Sequence, residues 1–170
     1  MLMTEPMAPA ERTGATGPGE WSVGEQGPRW ADSCSLWFAA EPSVCPVARR
    51  HLAWMLGEWE LGGLIRTAEL LASELLANAV TAAREDVAGP GEPELIQFRV
   101  GRAAASLILE IWDPSAEPPV ARLSDPMDDG GRGLHLVTAL STAWGFYRLR
   151  SGGKVVWCQI ALDDEEAAGW

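Results

Sequence analysis

The hydrophobic residues of the chain follow a helical period in the first half and a strand period in most of the second half. The segment "PSVCPVARRHLAWMLGEW" predicts a helix, with Ser43 as its cap and Pro46 in its first turn. We expect its buried stripe to contain Val47, Leu52, Met55 and Trp59. The segment "LIRTAELLASELLANAVTAAR" predicts a second helix, from about Leu64 to Arg84.

Runs rich in β-formers predict five strands around these helices. "CSLWFAA" precedes the first helix, "ELIQFRVG" and "ASLILEIWD" form a hairpin joined by "RAA", and "WGFYRLR" and "KVVWCQIAL" flank the turn "SGG". An irregular stretch, "PSAEPPVARLSDPMDDGG", and a helix, "GLHLVTALS", separate the two strand pairs. This order predicts an α+β fold, a two-layer α/β sandwich whose mixed, mostly antiparallel sheet is covered on one face by helices.

The composition divides the chain into a tail, a domain and a second tail. Residues 1–32 are rich in Gly, Pro, Glu, Ser and Thr, which predicts a disordered segment because little apolar surface is available to bury. Residues 33–163 hold the predicted elements, and residues 164–170 form an acidic tail. Trp21 and Trp30 are the two residues of the first tail that could dock on the domain or on a partner.

The net charge of −11 argues against direct binding to nucleic acid or to an anionic membrane, since both require clustered Lys and Arg. No leader segment and no run of about 20 apolar residues is present, so we expect a protein of the cytoplasm. The three cysteines form no CxxC pair, which predicts reduced thiols; Cys34 and Cys158 are expected to be buried.

Glu74 and Asn78, in "SELLANAV", are the first candidates for chemistry. They are four residues apart on the second helix, so their side chains project to the same side. A neutral amide oxygen suits Mg²⁺ with phosphate ligands, and a glutamate can accept a proton. A solvated glutamate beside a polar neighbour would show the same spacing, so the pair alone does not decide between the two.

Two further segments could contact a nucleotide. Asp113 ends a predicted strand in "IWDPSAEPP", where a carboxylate could accept a hydrogen bond from an exocyclic amine, although an Asp-Pro turn explains it equally. Gly130, Gly131 and Gly133 precede a helix, whose free N–H groups could bind phosphate, although such glycines are often only a connector. We expect His135 on a polar face or in a hydrogen bond, and Lys154 in solvent, although Lys154 follows a Gly-Gly turn at a strand start and could reach the nucleotide.

The order of these three segments resembles the Bergerat ATP-binding fold of DNA gyrase, heat-shock protein 90 and histidine kinases. It is most similar to the bacterial anti-sigma-factor serine/threonine protein kinases: "SELLANAV" resembles their Asn-bearing helix, "WDPSAEPP" their adenine segment and "GGRGLHLV" their glycine box. The resemblance covers about Ser35 to Leu162. It implies ATP and Mg²⁺ as ligands, and a lid over residues 114–130 that closes on ATP.

Carried across by position, the resemblance implies a role for each candidate. Glu74 would be the base and Asn78 the Mg²⁺ ligand, while Asp113 would bind the adenine amine. The full nucleotide-binding set would be Asn78, Asp113, Ser115, Gly131, Arg132, Gly133 and Leu134. The sequence departs from the family at Ser115, where a glycine is usual, and at Ala82, where relatives often carry histidine.

The resemblance implies a protein kinase that phosphorylates an anti-sigma-factor antagonist on serine and sequesters a sigma factor. A homodimer is also implied, because the relatives dimerise through their N-terminal elements; Trp54 and Trp59 mark the candidate face. Three alternatives stay open from the sequence: a nucleotide-gated binding module without catalysis, a detached histidine-kinase-like ATPase domain, and a structural protein without a ligand.

Overall fold

A computed structural model of the chain describes residues 32–85, 94–103, 105–119 and 133–163. The strands are β1 (Asp32–Ala39), β2 (Leu95–Ala103), β3 (Ser106–Asp113), β4 (Ala143–Arg148) and β5 (Lys154–Ala161). The helices are α1 (Val44–Glu58), α2 (Ile65–Glu85) and α3 (Gly133–Leu140), with one turn of 3-10 helix at Gly62–Leu64. Each predicted strand and helix is therefore confirmed, and Asp32, assigned to the tail from the sequence, is the first residue of β1.

The five strands form one sheet in the order β1-β2-β3-β5-β4. All four neighbouring pairs are antiparallel, so the predicted α+β class is confirmed and the sheet of the described residues is not mixed. The two hairpins, β2–β3 and β4–β5, meet where β5 pairs with β3. This central pairing places the end of β3 beside the start of β5.

One face of the sheet packs on the helices and holds the core. Alternate residues of the central strands are buried there, as period-2 patterning requires. The buried sheet residues of this face include Ile96, Phe98, Val100, Leu107, Leu109 and Ile111. α2 contacts both α1 and α3 and lies against β2, β3 and β5, so it is the central helix, with α1 on one side and α3 on the other.

The buried stripe of α1 differs from the predicted one. Val44, Ala48, Leu52, Met55 and Leu56 are buried. Val47, which we expected in the stripe, is 45% exposed. It lies five residues before Leu52 and thus roughly 140° around the helix, too far to share its face. Trp59 follows the helix end and packs partly against the core, whereas Trp54 is 61% exposed.

The tail over residues 1–31, the acidic residues 164–170 and residues 120–130 of the predicted lid lie outside the described residues. Among the helices described, none has the length and apolar character needed to cross a membrane.

Candidate functional site

The C-terminal half of α2 lies toward the end of the sheet that carries Asp113. β3 ends and β5 begins there, and at the same end β1 runs into the loop before α1. Pro42 and Cys45, from that loop and the first turn of α1, line one cleft with the last turns of α2. Since α2 reaches this end with its C-terminal turns, Asn78 and Asp113 occupy the same end of the helical face.

The first turn of α3 is directed toward the same end. Thr142, just after α3, accepts a hydrogen bond at its Oγ1 from the N–H of Ala161, 3.0 Å away, at the opposite end of β5. The indole N–H of Trp144 donates to Oγ1 of Thr138 at 2.9 Å and holds the helix along β4. With its C-terminus fixed at the far end, α3 starts from Gly133 on the side of Asp113.

Asn78 lies on the side of α2 away from α1, whereas Glu74 is close enough to Cys45, in the first turn of α1, for its charge to raise the pKa of that thiol. The α1 side is marked by Ser73, whose Oγ accepts a hydrogen bond from Arg49 at 3.2 Å. Asn78 is three residues from the buried Leu75, or roughly 60° around the helix, in the direction opposite to Ser73. Asn78 thus borders the core on the side of α2 opposite to α1, where α3 packs.

Both side chains are half-buried. Among the described residues neither Glu74 nor Asn78 has a hydrogen-bond or ion-pair partner. Burial raises the pKa of Glu74 above its ordinary value, because partial loss of water disfavours the carboxylate. The carboxylate of Glu74, with its raised pKa, can accept a proton. The amide of Asn78, one turn away, can hold a cation beside it.

Asp113 does not face solvent. Its side chain lies on the helix-facing side of the sheet and is 1% exposed. Its Oδ1 accepts a hydrogen bond from the ammonium of Lys154, directly opposite on β5, at 2.7 Å. Lys154 is itself 2% exposed, so the expectation of a solvated lysine was wrong. An ion pair with a carboxylate on the next strand explains why a lysine is buried here.

The residues after Asp113 form a turn held by side chains. Oδ1 of Asp113 also accepts the N–H of Ser115 at 3.1 Å, and Oγ of Ser115 accepts the N–H of Glu117 at 3.3 Å. Arg148 donates from Nε to the carbonyl of Ala116 at 2.8 Å and ties the turn to β4. The turn interpretation of the Asp-Pro sequence is therefore confirmed. Ser115, where the resemblance leads us to expect a glycine, closes the turn through both its N–H and its hydroxyl.

The glycine box is described only from its last residue. Gly130, Gly131 and Arg132 lie outside the described residues, and Gly133 is the first residue of α3. Leu134 is 3% exposed and packs in the interior, so its side chain is turned away from a ligand. What the start of α3 offers to a phosphate is its first N–H groups, which have no partner within the helix. His135 is exposed, as expected.

Within the described ranges, no group of three or more His, Cys, Asp and Glu side chains could hold a metal ion. A Mg²⁺ ion does not require such a group. It commonly takes one or two protein oxygens and completes its shell with phosphate and water. The amide of Asn78, which has no partner in the described part of the chain, fits that use.

A cleft of about 500 Å³ lies between the C-terminal turns of α2 and the start of α1. It is lined by Pro42, Cys45, Ala77, Val80, Thr81, Arg84 and Glu85. None of the residues proposed from the sequence is among them, although Thr81 of the lining is two turns from Glu74 on nearly the same side of α2.

An ion pair on the other face of the sheet was missed from the sequence. Arg99 and Glu110 are directly opposite on β2 and β3, with Nη1 and Oε2 at 3.1 Å, and the hydroxyl of Tyr147 donates to Oε1 of Glu110 at 3.5 Å. Burial raises the pKa of Glu110, and Arg99 and Tyr147 partly offset this. The signal was a glutamate inside the apolar run "SLILEIWD", where only a paired acid is tolerated.

The α+β fold and the helix that carries Glu74 and Asn78 describe a class of domain, and comparison with known protein families identifies which class it is. Residues 38–160 match the model of the histidine kinase-like ATPase domain. This match spans most of the 170 residues, so the chain belongs to the histidine kinase-like ATPase domain family. Membership implies ATP binding. No curated protein matches the chain.

Proposed function

We propose that the protein is an ATP-dependent serine/threonine protein kinase of the anti-sigma-factor type. Its substrate would be a small antagonist protein, and its second partner a sigma factor that it sequesters in the cytoplasm. The support is the combination of family membership with Glu74, a half-buried acid beside the amide of Asn78. A domain that only binds nucleotide has no need of a base at that position.

Each candidate residue has a role in this proposal. Asn78 would hold Mg²⁺, and Asp113 would accept a hydrogen bond from the adenine amine. The N–H groups at Gly131, Gly133 and Leu134, together with the guanidinium of Arg132, bind the phosphates. Ser115 shapes the turn that contacts the base through its bonds to Asp113 and Glu117.

The transfer step requires one proton acceptor. Glu74 takes the proton of the substrate serine as the hydroxyl oxygen bonds to the γ-phosphorus and the bond from that phosphorus to the bridging oxygen of ADP breaks. ADP leaves with the bridging electrons, and a Mg²⁺ ion held by Asn78 would supply charge neutralisation. Most of the rate enhancement then comes from positioning and from charge, as in other phosphoryl transfers.

The single observation that carries the proposal is the state of Glu74. The side chain has no ion pair among the described residues, it is half-buried, and burial raises its pKa. A surface glutamate without a function would be expected to keep full hydration. A base that must hold a proton briefly is favoured by a pKa nearer to neutrality.

The experiment is transfer of labelled γ-phosphate to the cognate antagonist by the full chain with Mg²⁺. Glu74→Gln should bind Mg²⁺–ATP with an affinity within about threefold of the unmodified chain and lose transfer by a factor of roughly 10² to 10⁴, the usual size of a base contribution. Glu69→Gln, on the same helix, is the matched control and should retain transfer. Equal transfer by Glu74→Gln and Glu69→Gln would exclude the kinase role.

A nucleotide-gated binding module is the second candidate, and the burial of Asp113 favours it. Because the carboxylate is 1% exposed, contact with a base requires neighbouring groups to move, and such a movement could control a partner surface without chemistry. Calorimetry would then show Mg²⁺-dependent ATP binding, and the unmodified chain with its antagonist would give no phosphoserine.

The proposed homodimer would use α1. Trp54 is 61% exposed on this helix, beside His51, with the ring centres 5.8 Å apart. A large exposed indole on a helix at the end of the layer is typical of an interface anchor. Sedimentation of Trp54→Ser should show a shift toward monomer. Trp37→Ser, an equally exposed tryptophan on β1, is its control.

A further inference from the structure

Lys154 is the only lysine of the 170 residues, beside twelve arginines. It is also among the most buried residues of the domain, at 2% exposed. Its Nζ donates to Oδ1 of Asp113 at 2.7 Å and to the carbonyl of Ser115 at 3.4 Å. The one ammonium side chain of the protein is thus placed on the carboxylate that the proposed function assigns to the adenine amine.

A buried ion pair is a costly way to hold two strands together. Transfer of both charges out of water offsets most of their attraction, and apolar residues of similar volume often stabilise a fold as well or better. The ladder between β3 and β5 already fixes the two residues opposite each other. We therefore expect the ion pair to have a role other than holding β3 and β5 together.

One of the three N–H donors of the Lys154 ammonium has no acceptor among the described residues. A lysine carries three N–H donors, and two acceptors are present within the part of the chain that the structure describes. Both groups are enclosed, so contact with a base requires the same movement of neighbouring groups as for Asp113 alone; after it, the pair offers a carboxylate acceptor and an ammonium donor side by side. The Watson–Crick edge of adenine is complementary to this, because its exocyclic amine is a donor and the adjacent N1 is an acceptor.

We propose that Lys154 reads the base together with Asp113, donating a hydrogen bond to N1 of adenine while Asp113 accepts one from the amine. This rests on the proposed role of Asp113. Lys154 is then a specificity-determining residue as well as the counter-ion of Asp113. A lysine suits the role better than an arginine because its compact ammonium can serve a carboxylate, a carbonyl and a ring nitrogen at once.

The first test uses the unmodified chain and two ATP analogues. In 1-deaza-ATP a C–H group replaces N1, while 7-deaza-ATP changes the opposite edge of the base and is the control. Titration calorimetry with Mg²⁺ should show 1-deaza-ATP binding about 10- to 100-fold more weakly than ATP, the usual size of one charge-assisted hydrogen bond. 7-Deaza-ATP should bind within about threefold of ATP on the same scale.

The second test removes the donor. Lys154→Met should lose most of the preference for ATP over 1-deaza-ATP, and Lys154→Arg, which keeps a cationic donor, should retain part of it. Thermal melting establishes that each variant is folded before titration. Because the chain has one lysine, selective ¹⁵N labelling of lysine gives a single Nζ resonance in the unmodified protein, which should shift with ATP and much less with 1-deaza-ATP. This measurement tests the contact between Lys154 and N1 of adenine even if Lys154→Met does not fold.

The outcomes separate this inference from the proposed function. A chain that binds ATP and 1-deaza-ATP with equal affinity, and whose Nζ resonance responds equally to both, would exclude a contact from Lys154 to N1 and leave ATP binding intact. A chain that binds no adenine nucleotide would overturn the proposed function and this inference with it. Retention of the full preference by folded Lys154→Met would also exclude the contact.

Discussion

The ammonium of Lys154 lies 2.7 Å from the carboxylate of Asp113, across the two strands at the centre of the sheet, and both side chains are closed to solvent. These residues are 41 positions apart in sequence. The pair joins the start of β5 to the turn after β3, because Lys154 also donates to the carbonyl of Ser115. The base-contacting turn of the proposed site is therefore held in place by a residue of another hairpin.

Removal of one partner of this pair should destabilise the domain more than removal of both. Asp113→Ala leaves a buried ammonium without its carboxylate and should lower the free energy of unfolding by roughly 3–5 kcal/mol. Asp113→Asn combined with Lys154→Met removes both charges and should lower it by less than Asp113→Ala does. Urea unfolding of the three chains measures the difference. A double variant as unstable as Asp113→Ala would show that the burial of an unpaired charge is not the cause.

Gly153 should tolerate no side chain. Its φ is 77°, and a Cβ built on it would collide with the carbonyl of Asp113 and the indole of Trp112. Gly153→Ala should therefore lower the free energy of unfolding by more than the roughly 1–2 kcal/mol of a left-handed backbone alone. Gly57→Ala is the matched control, because nothing lies within 4 Å of its Cβ and alanine favours the helix. A loss no larger than that of Gly57→Ala would contradict the packing at Gly153.

The strands and helices were predictable because their signals are local. Period-2 runs such as "LIQFRV" and the stripe around Leu71 and Leu75 depend on neighbours a few positions away, and the structure confirms them. The relation of Glu74 to Asn78 is local in the same sense, since helix geometry alone places both on one side of α2. The error at Val47 arose because an apolar side chain was assumed to be buried, although its position lies well away from the buried stripe.

The partners of Asp113 were not predictable from local pattern. A lysine after "SGG" at the start of a strand is usually solvated, and only the pairing of β3 with β5 brings Lys154 onto the carboxylate. The same holds for Glu110, whose partner Arg99 lies directly opposite on β2. Charged groups inside a sheet depend on register, and register depends on which strands meet, information that no window of the sequence contains.

The three thiols should react at very different rates. Burial raises the pKa of Cys158 to about 12, and this side chain is fully enclosed. Burial also raises the pKa values of Cys34 and Cys45, but both are half-buried, and Sγ of Cys34 lies 3.4 Å from Nε2 of His51. Since the thiolate is the reactive form, a thiol reagent at neutral pH should modify Cys34 and Cys45 slowly and Cys158 only on unfolding. Mass mapping of the modified peptides tests the order, and early modification of Cys158 would contradict it.

Ionisation of Glu74 should lower the stability of the fold, whereas phosphoryl transfer should require it. Its pKa is raised by burial in the folded state, so the ionised form is less favourable there than in the unfolded chain. The cost is absent at pH values below the ordinary pKa of 4.5, appears as pH rises toward the folded value and is fully present above it. Glu74→Gln should therefore melt at a slightly higher temperature than the unmodified chain at neutral pH, and the gap should close on acidification through that window.

Phosphoryl transfer should show the reverse dependence on pH, because only ionised Glu74 can accept the proton of the serine. Transfer by the unmodified chain should fall as pH drops, with a midpoint above the ordinary glutamate value. Melting curves and transfer rates over one pH series, with Glu69→Gln as the control for a glutamate of the same helix, separate the two effects. A Glu74→Gln chain less stable than the unmodified protein at neutral pH would mean that the carboxylate is stabilised in the fold. The argument for a poised base would then fail.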